Sequence, residues 1–322
     1  MNDLRRHSIG IDIGGTNTDI GLVSADGKIE GRRTIKTCDY TQLEPYIYAT
    51  VQAIRSLLDS HSVENIDGIG IGAPNANFYT GCIDNAPNLT IKGVLNLEEE
   101  IRKYIDVPVV VDNDANAAAY GELVYGGARG MQHIVMFTLG TGVGSGIVAD
   151  GQLVHGTGAA GELGHAILVA GGRECSCGRN GCLETYCSAR GIVQTYRELC
   201  QAESIEPAAS ECRQIGDLAH QGDPAALATW EKTGEWLGLA MANAVTFSAP
   251  QAIFLMGGPA QVGEPLMRPL RQSFEKNLLH IYRGTCSIQM SQLPANDVAL
   301  LGAAALIYDK QSGDKATVPD KE

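Results

Sequence analysis

Apolar and polar positions alternate along the opening stretch of the chain. The segment HSIGIDIGGTNTDIGLVSADGKIEGRRTIKT switches between them on both sides of Gly14-Gly15, and Asp26-Gly27 marks a second turn. A period of two is the strand signature, so three short antiparallel strands are predicted. Helical spacing follows across 41–60, then an apolar strand near 66–71, a helix near 97–104 and the strand VPVVV at 107–111. That order describes a mixed α/β lobe.

The pattern then starts again. HIVMFTLGTGVGSGIVADGQLVHG reads as strand, glycine turn, strand, Asp150-Gly151 turn and strand. Helices are predicted around 186–202 and 223–247, with a strand QAIFLM running into Gly257-Gly258 and a last helix around 297–309. Residues 311–322 read as a frayed tail. Repetition of one topology predicts two related lobes with a ligand cleft between them. The boundary is expected near 112–132: residues 1–118 form an N-terminal lobe, joined by a C-terminal helix at about 298–322, and 119–297 form a larger lobe.

Composition narrows the function. With 44% apolar and 19% charged residues, the 322-residue chain is an ordered globular protein rather than a disordered one. A net charge of −13 without a dense Lys/Arg stripe argues against nucleic acid or anionic lipid and for a small-molecule partner. No apolar run approaches a membrane span or a signal-peptide core, so no membrane association and a cytoplasmic location are expected. Nine scattered cysteines, an odd count, do not resemble a disulfide framework.

Two glycine turns carry candidate chemistry. IDIGGT is followed by a strand pattern and not by the helix that a dinucleotide fold or a Walker loop requires. A β-hairpin remains, in which Gly14 and Gly15 let backbone N–H groups approach phosphate, Thr16 adds a donor, and Asp12 stands at the rim for Mg²⁺. LGTGVGSG offers the same through Gly140, Thr141, Gly142 and Gly144. Either turn alone reads equally as a plain hairpin. As a pair they resemble the sugar kinase, actin and heat-shock ATPase superfamily, where two hairpins grip a nucleotide and a turn like Gly257-Gly258 lies along the adenosine. The latter pair is locally just as good as a strand-to-helix turn.

In VPVVVDNDANAAAYGE, Asp112, Asn113 and Asp114 stand where a strand gives way to an alanine-rich helix. One of them is expected to cap that helix. Asp114 is the candidate base for a substrate hydroxyl, with Asp112 as competitor and Asn113 as a hydroxyl ligand. Downstream, His165, Cys175, Cys177 and Cys182 give His-x9-Cys-x-Cys-x4-Cys, a donor set that closes a tetrahedral structural zinc site. A redox pair is the weaker alternative, since Cys-x-Cys is not the oxidoreductase spacing.

DIGGT, NDANAAA, LGTGVGSG, GELGH and CSCGRNGCLE occur in the order and spacing of the ROK family of sugar kinases, repressors and open reading frames, a resemblance covering about 9–307. It implies a two-lobed actin-like or hexokinase-like (ribonuclease H-like) ATPase fold with the nucleotide and sugar in its cleft. It further implies Asp114 as catalytic base, with Asn113, Asp114, Glu162, His165 and Glu184 on the sugar hydroxyls. ATP with Mg²⁺ would lie against Asp12, Gly14, Gly15, Thr16, Asn17, the Gly140–Gly144 turn, Gly257 and Gly258. His165 would serve twice, one ring nitrogen on structural zinc and the other toward the sugar.

Asn17 stands where the family often has Lys, and Asn75 and Ile91 depart from the residues common in glucose-phosphorylating members. The expected activity is ATP-dependent phosphorylation of glucose at the 6-hydroxyl. The alternatives are another hexose, namely N-acetylmannosamine, N-acetylglucosamine, fructose or allose, or a sugar-responsive regulator. Only eight residues precede Ile9, which with the acidic balance sets the regulator behind the kinase. A homodimer or homotetramer is expected from the resemblance.

Overall fold

Strand β1 (His7–Ile13) and strand β2 (Thr18–Ser24) form from the alternation on either side of the first glycine turn and pair antiparallel, Ile9 facing Leu22. In the computed structural model, which describes residues 6–309, β3 (Ile29–Ile35) extends this hairpin. On its other edge β1 runs parallel to β4 (Ile69–Ala73), and β4 runs parallel to β5 (Val109–Asn113), giving the order β3-β2-β1-β4-β5. The helix Leu43–His61 lays Ile47, Val51, Ile54 and Leu57 on this sheet, and together they form one hydrophobic core.

Glycine decides what covers the sheet elsewhere. A Cβ on Gly10 would stand 2.1 Å from the Leu300 carbonyl oxygen, and one on Gly70 1.8 Å from that of Ala303. Only a side-chain-free surface lets the helix Val298–Ala305 lie backbone-close on these strands. This helix ends earlier than expected and passes into a 3-10 turn at Leu306–Tyr308. The tail expected over 311–322 lies outside the described residues.

Two compact units emerge from the contacts. Among the described residues one holds 6–131, 150–161 and 292–309, and the other holds 132–149 and 162–291. A divide after 118 would cut the helix Asp114–Tyr125, whose residues Ala115 to Glu122 are all buried, and that helix belongs entire to the first unit.

In the second unit β6 (Ile134–Leu139) and β7 (Val143–Ala149) form the second glycine hairpin, with Val143 opposite Leu139. Strand β8 (Ala252–Gly257) runs parallel to β6, and β9 (Ser287–Met290) parallel to β8. The core here is Val135, Phe137, Ile253 and Leu255 against Trp230, Leu237, Met241, Leu266, Leu270 and Phe274 from the covering helices.

Other features also depart from the pattern reading. The helix expected around 186–202 is broken into Glu184–Cys187 and Ala189–Ala202, because extended Ser188 caps the second piece by accepting from the Gly191 N–H. Helix Glu264–Asn277 starts with Pro265 in its first turn, where proline is tolerated, and continues through Pro269 because its buried Leu266, Met267, Leu270 and Phe274 hold it. A small sheet of Ala76–Asn77, Cys82–Asp84 and Val94–Asn96 fills a stretch in which no element was predicted.

Candidate active site

The first glycine turn closes on itself, Gly14 N–H donating to the Asn17 carbonyl at 2.9 Å. Gly15 has no room for a side chain, since its Cβ would meet the Asn88 carbonyl oxygen at 2.5 Å, while Thr16 and Asn17 are exposed. With Gly14's donor spent inside the turn, the next amides are the ones placed to meet an anion. Asp12, half-buried at the end of β1, has its carboxyl pushed up to about 6 by loss of water and then by the charges of Asp114 and Asp19. Carboxylates that repel one another in this way fit a divalent cation with oxygen ligands, which would relieve all of them.

At the end of β5 the three polar residues take separate tasks. Asn113 is the helix cap, its Oδ1 accepting from Ala115 N–H at 2.8 Å. Asp114 is the first helical residue and is solvent-accessible, its own Oδ1 accepting from the same amide at 2.8 Å. Surrounding protein raises the Asp114 pKa, the amides of Ala115 and Asp114 oppose the rise, and the charge of Asp112 adds to it. Because the side chain still meets water, crowding rather than sealing is the cause, and water limits its effect. Asp112 is fully buried and already accepts from Asn113 N–H at 2.7 Å and from Asn116 Nδ2 at 3.0 Å. Only Asp114 of these two acids presents its carboxylate to solvent.

The second turn repeats the closure, Gly140 N–H donating to the Gly142 carbonyl at 2.9 Å. Its support differs, because Glu184 Oε2 accepts from the Val143 N–H at 3.0 Å, and a Cβ on Gly142 would stand 2.3 Å from that same oxygen. Thr141 is exposed, and Gly144 lies in β7 opposite Thr138. Gly257 takes φ 106° with its absent Cβ 1.9 Å from the Leu139 carbonyl, whereas nothing lies within 4 Å of a Cβ on Gly140 or Gly258. Beside Gly258 opens a cavity of about 540 Å³ lined by Cys212, Arg213, Gly216, Trp230, Pro259 and Val262, among others. Its helix Cys212–His220 was not predicted, since its capping box pairs Gln214 with Glu211 in place of the Ser, Thr, Asp or Asn that would mark a helix start in sequence.

GELGH forms a 3-10 turn, Leu163–His165, locked to β7: a Cβ on Gly164 would stand 1.8 Å from the Val143 carbonyl oxygen, and Leu163 N–H donates to Ser145 Oγ at 2.9 Å. His165 Nδ1 lies 3.6 Å from Cys175 Sγ, and Cys177 Sγ lies 3.6 Å from Cys182 Sγ. The four ligand atoms all fall within 4.8 Å of one another. Tetrahedral zinc with Zn–S near 2.3 Å needs donors about 3.7 Å apart, so the spacing fits. The backbone N–H of Arg179 and then its guanidinium, which also donates to the His165 carbonyl at 2.7 Å, hold the Cys177 thiol down at about 6, while burial pushes Cys182 up to about 12. Glu162 is exposed and Glu184 half-buried. Asn75 is exposed in the left-handed region at φ 55°, and Ile91 is buried in the first unit's core. Among the described residues no helix is long and apolar enough to cross a membrane.

The family model described as "ROK family" matches residues 8–310. A glucokinase of Thermotoga maritima is 34% identical over 95% of this chain and 98% of the relative. The crystal structure of a ROK family glucokinase from Streptomyces griseus, in complex with glucose and AMPPNP, matches with TM-score 0.75 and 31% identity over 93% of this chain and 98% of that one. A ROK family transcriptional regulator, homolog of the E. coli MLC protein, matches with TM-score 0.83 and 26% identity over 98% of this chain and 82% of that one. The α/β architecture is thus the actin-like, hexokinase-like fold of ROK sugar kinases.

Proposed function

The chain belongs to the ROK family, and from that premise we propose that it is an ATP-dependent sugar kinase that phosphorylates glucose at the 6-hydroxyl. The observation that carries this reading is the division of labour at the end of β5. Asn113 caps the helix and Asp112 is buried, which leaves Asp114 accessible to accept a hydroxyl proton. A carboxylate of ordinary strength suffices, since phosphoryl transfer asks mainly for positioning and charge neutralisation.

Asn113, Glu162, His165 and Glu184 serve the sugar hydroxyls. His165 turns Nδ1 toward the thiols, so a metal there fixes its tautomer and frees Nε2 for the sugar. The residues that would hold zinc are His165, Cys175, Cys177 and Cys182, and the metal would supply structure rather than Lewis acidity. Asp12 would hold Mg²⁺, which neutralises phosphate charge when bound with ATP. The amides after Gly14 and Gly140 take the phosphates, and the cavity beside Gly258 takes the adenosine.

A coupled assay over a hexose panel tests the reading. Glucose should be the fastest substrate with ATP and Mg²⁺. A higher kcat/KM for N-acetylmannosamine, N-acetylglucosamine, fructose or allose would move the substrate, and glucose binding without turnover would favour a regulator.

A further inference from the structure

Behind β5 a buried imidazole stands between two buried carboxylates. His155 is 2% exposed, Asp112 0% and Asp309 2%. Its Nε2 hydrogen-bonds Asp309 Oδ2 at 3.1 Å, and its Nδ1 lies in ion-pair contact with Asp112 Oδ2 at 3.2 Å. Phe78 stacks on the ring at 3.7 Å between centroids, and Tyr79 meets it edge-on. The titratable groups around it are therefore Asp112 from β5, Asp309 from the end of the described chain and Tyr79, with Tyr120 facing Asp309.

Elementary bookkeeping of protons fixes the state of this group. A neutral imidazole has one N–H, so its other ring nitrogen would turn a lone pair toward a carboxylate oxygen only 3.1–3.2 Å away. An imidazolium serves both, and the trio then carries one net negative charge instead of two. Burial, the largest influence, works against the charge, but the pull of the two facing aspartates outweighs it and holds the pKa up at about 9.

The consequence reaches the proposed base through Asp112. Its Oδ2 faces His155, while its Oδ1 accepts from the Asn113 N–H and from Asn116 Nδ2, spanning the strand-to-helix turn that presents Asp114. The charge of Asp112 also raises the pKa of Asp114, so a cation beside Asp112 favours the ionised base. We propose that His155 is a positioning residue for phosphoryl transfer: shared by Asp112 and Asp309 as an imidazolium, it fixes the carboxylate that holds Asn113 and Asp114 in register. The catalytic consequence rests on the kinase reading above.

Two variants of the full chain, His155→Gln and Asp309→Asn, test this, with kcat and KM for glucose measured from about pH 6 to 10 and the His155 imidazole followed by NMR, assigned by its loss in His155→Gln. In the unaltered protein the His155 resonance should stay in the imidazolium position up to a midpoint near 9, and its contribution to thermal stability should be complete below about 6.5 and fade as pH rises through about 9. Asp309→Asn should lower that midpoint and shift the alkaline limb of kcat with it. His155→Gln should lower kcat about 10²-fold and, through Asn113, raise the KM for glucose by a smaller factor, about threefold to tenfold.

A midpoint near 6.5, or folded variants that lose thermal stability with unchanged kcat and pH profile, would overturn the proposal. If His155→Gln does not fold, Asp309→Asn alone decides it. If the unaltered protein phosphorylates no hexose, the kinase reading falls and takes the catalytic role with it, while the NMR midpoint still settles the charge clamp.

Discussion

The acids at 112–114 and those at 162 and 184 are held by different means. In the first unit the strand-to-helix turn is secured by charge, with Asp112 bridging its amides on one side and His155 on the other. In the second unit Glu162 and Glu184 flank a loop drawn together by three thiols and an imidazole, and Glu184 grips the glycine turn through the Val143 N–H. A charge clamp responds to pH and is indifferent to chelators, whereas a metal loop responds to chelators through its ligands. The same task of fixing a carboxylate is thus exposed to different conditions in the two units.

The sharpest break in the comparison is at the base itself. Asp114→Asn should lower kcat by about 10²- to 10⁴-fold, with calorimetry showing glucose binding little changed. If binding were lost instead, Asp114 would belong with the sugar ligands and the contrast would blur.

Next in size comes the metal loop. Cys182→Ser, or treatment with a chelator, should take metal content from about one zinc per chain toward none and raise the KM for glucose about 10- to 100-fold. The pH midpoint of His155 should not move. An unchanged KM after zinc loss would mean that the loop stands without metal.

The smallest effect is expected where the two supports of the second turn meet. Glu184→Gln keeps an acceptor for the Val143 N–H but removes its charge, a loss of about 1 kcal/mol, so the KM values for ATP and for glucose should each rise a few-fold. A rise confined to the KM for glucose would assign Glu184 to the sugar alone.

How far each half was legible follows from the same contrast. The four candidate metal ligands fall within one short stretch, and tetrahedral zinc demands a narrow set of donors, so spacing alone singled them out, and the fold brings their donor atoms within 4.8 Å of one another. The glycine hairpins were legible because strand alternation is local, and the capping role of Asn or Asp at 112–114 because caps are local too. Local pattern did not show which of the three residues caps, since that depends on the residue at which the strand gives way to the helix. Helix Glu264–Asn277 was hidden by its prolines, and the break at Ser188 by an unbroken apolar pattern on both sides.

By itself the sequence determined the strand–turn–strand units, the histidine and cysteine donor set and the placement of an acid at a helix start, because each depends on residues near one another in the chain. Tertiary structure alone decided that Asp112 is buried and Asp114 is not, that Glu184 reaches the second glycine turn, and that His155 lies between Asp112 and Asp309. Those facts rest on chain segments far apart in sequence, and burial and charge pairing exist only once packing has brought them together.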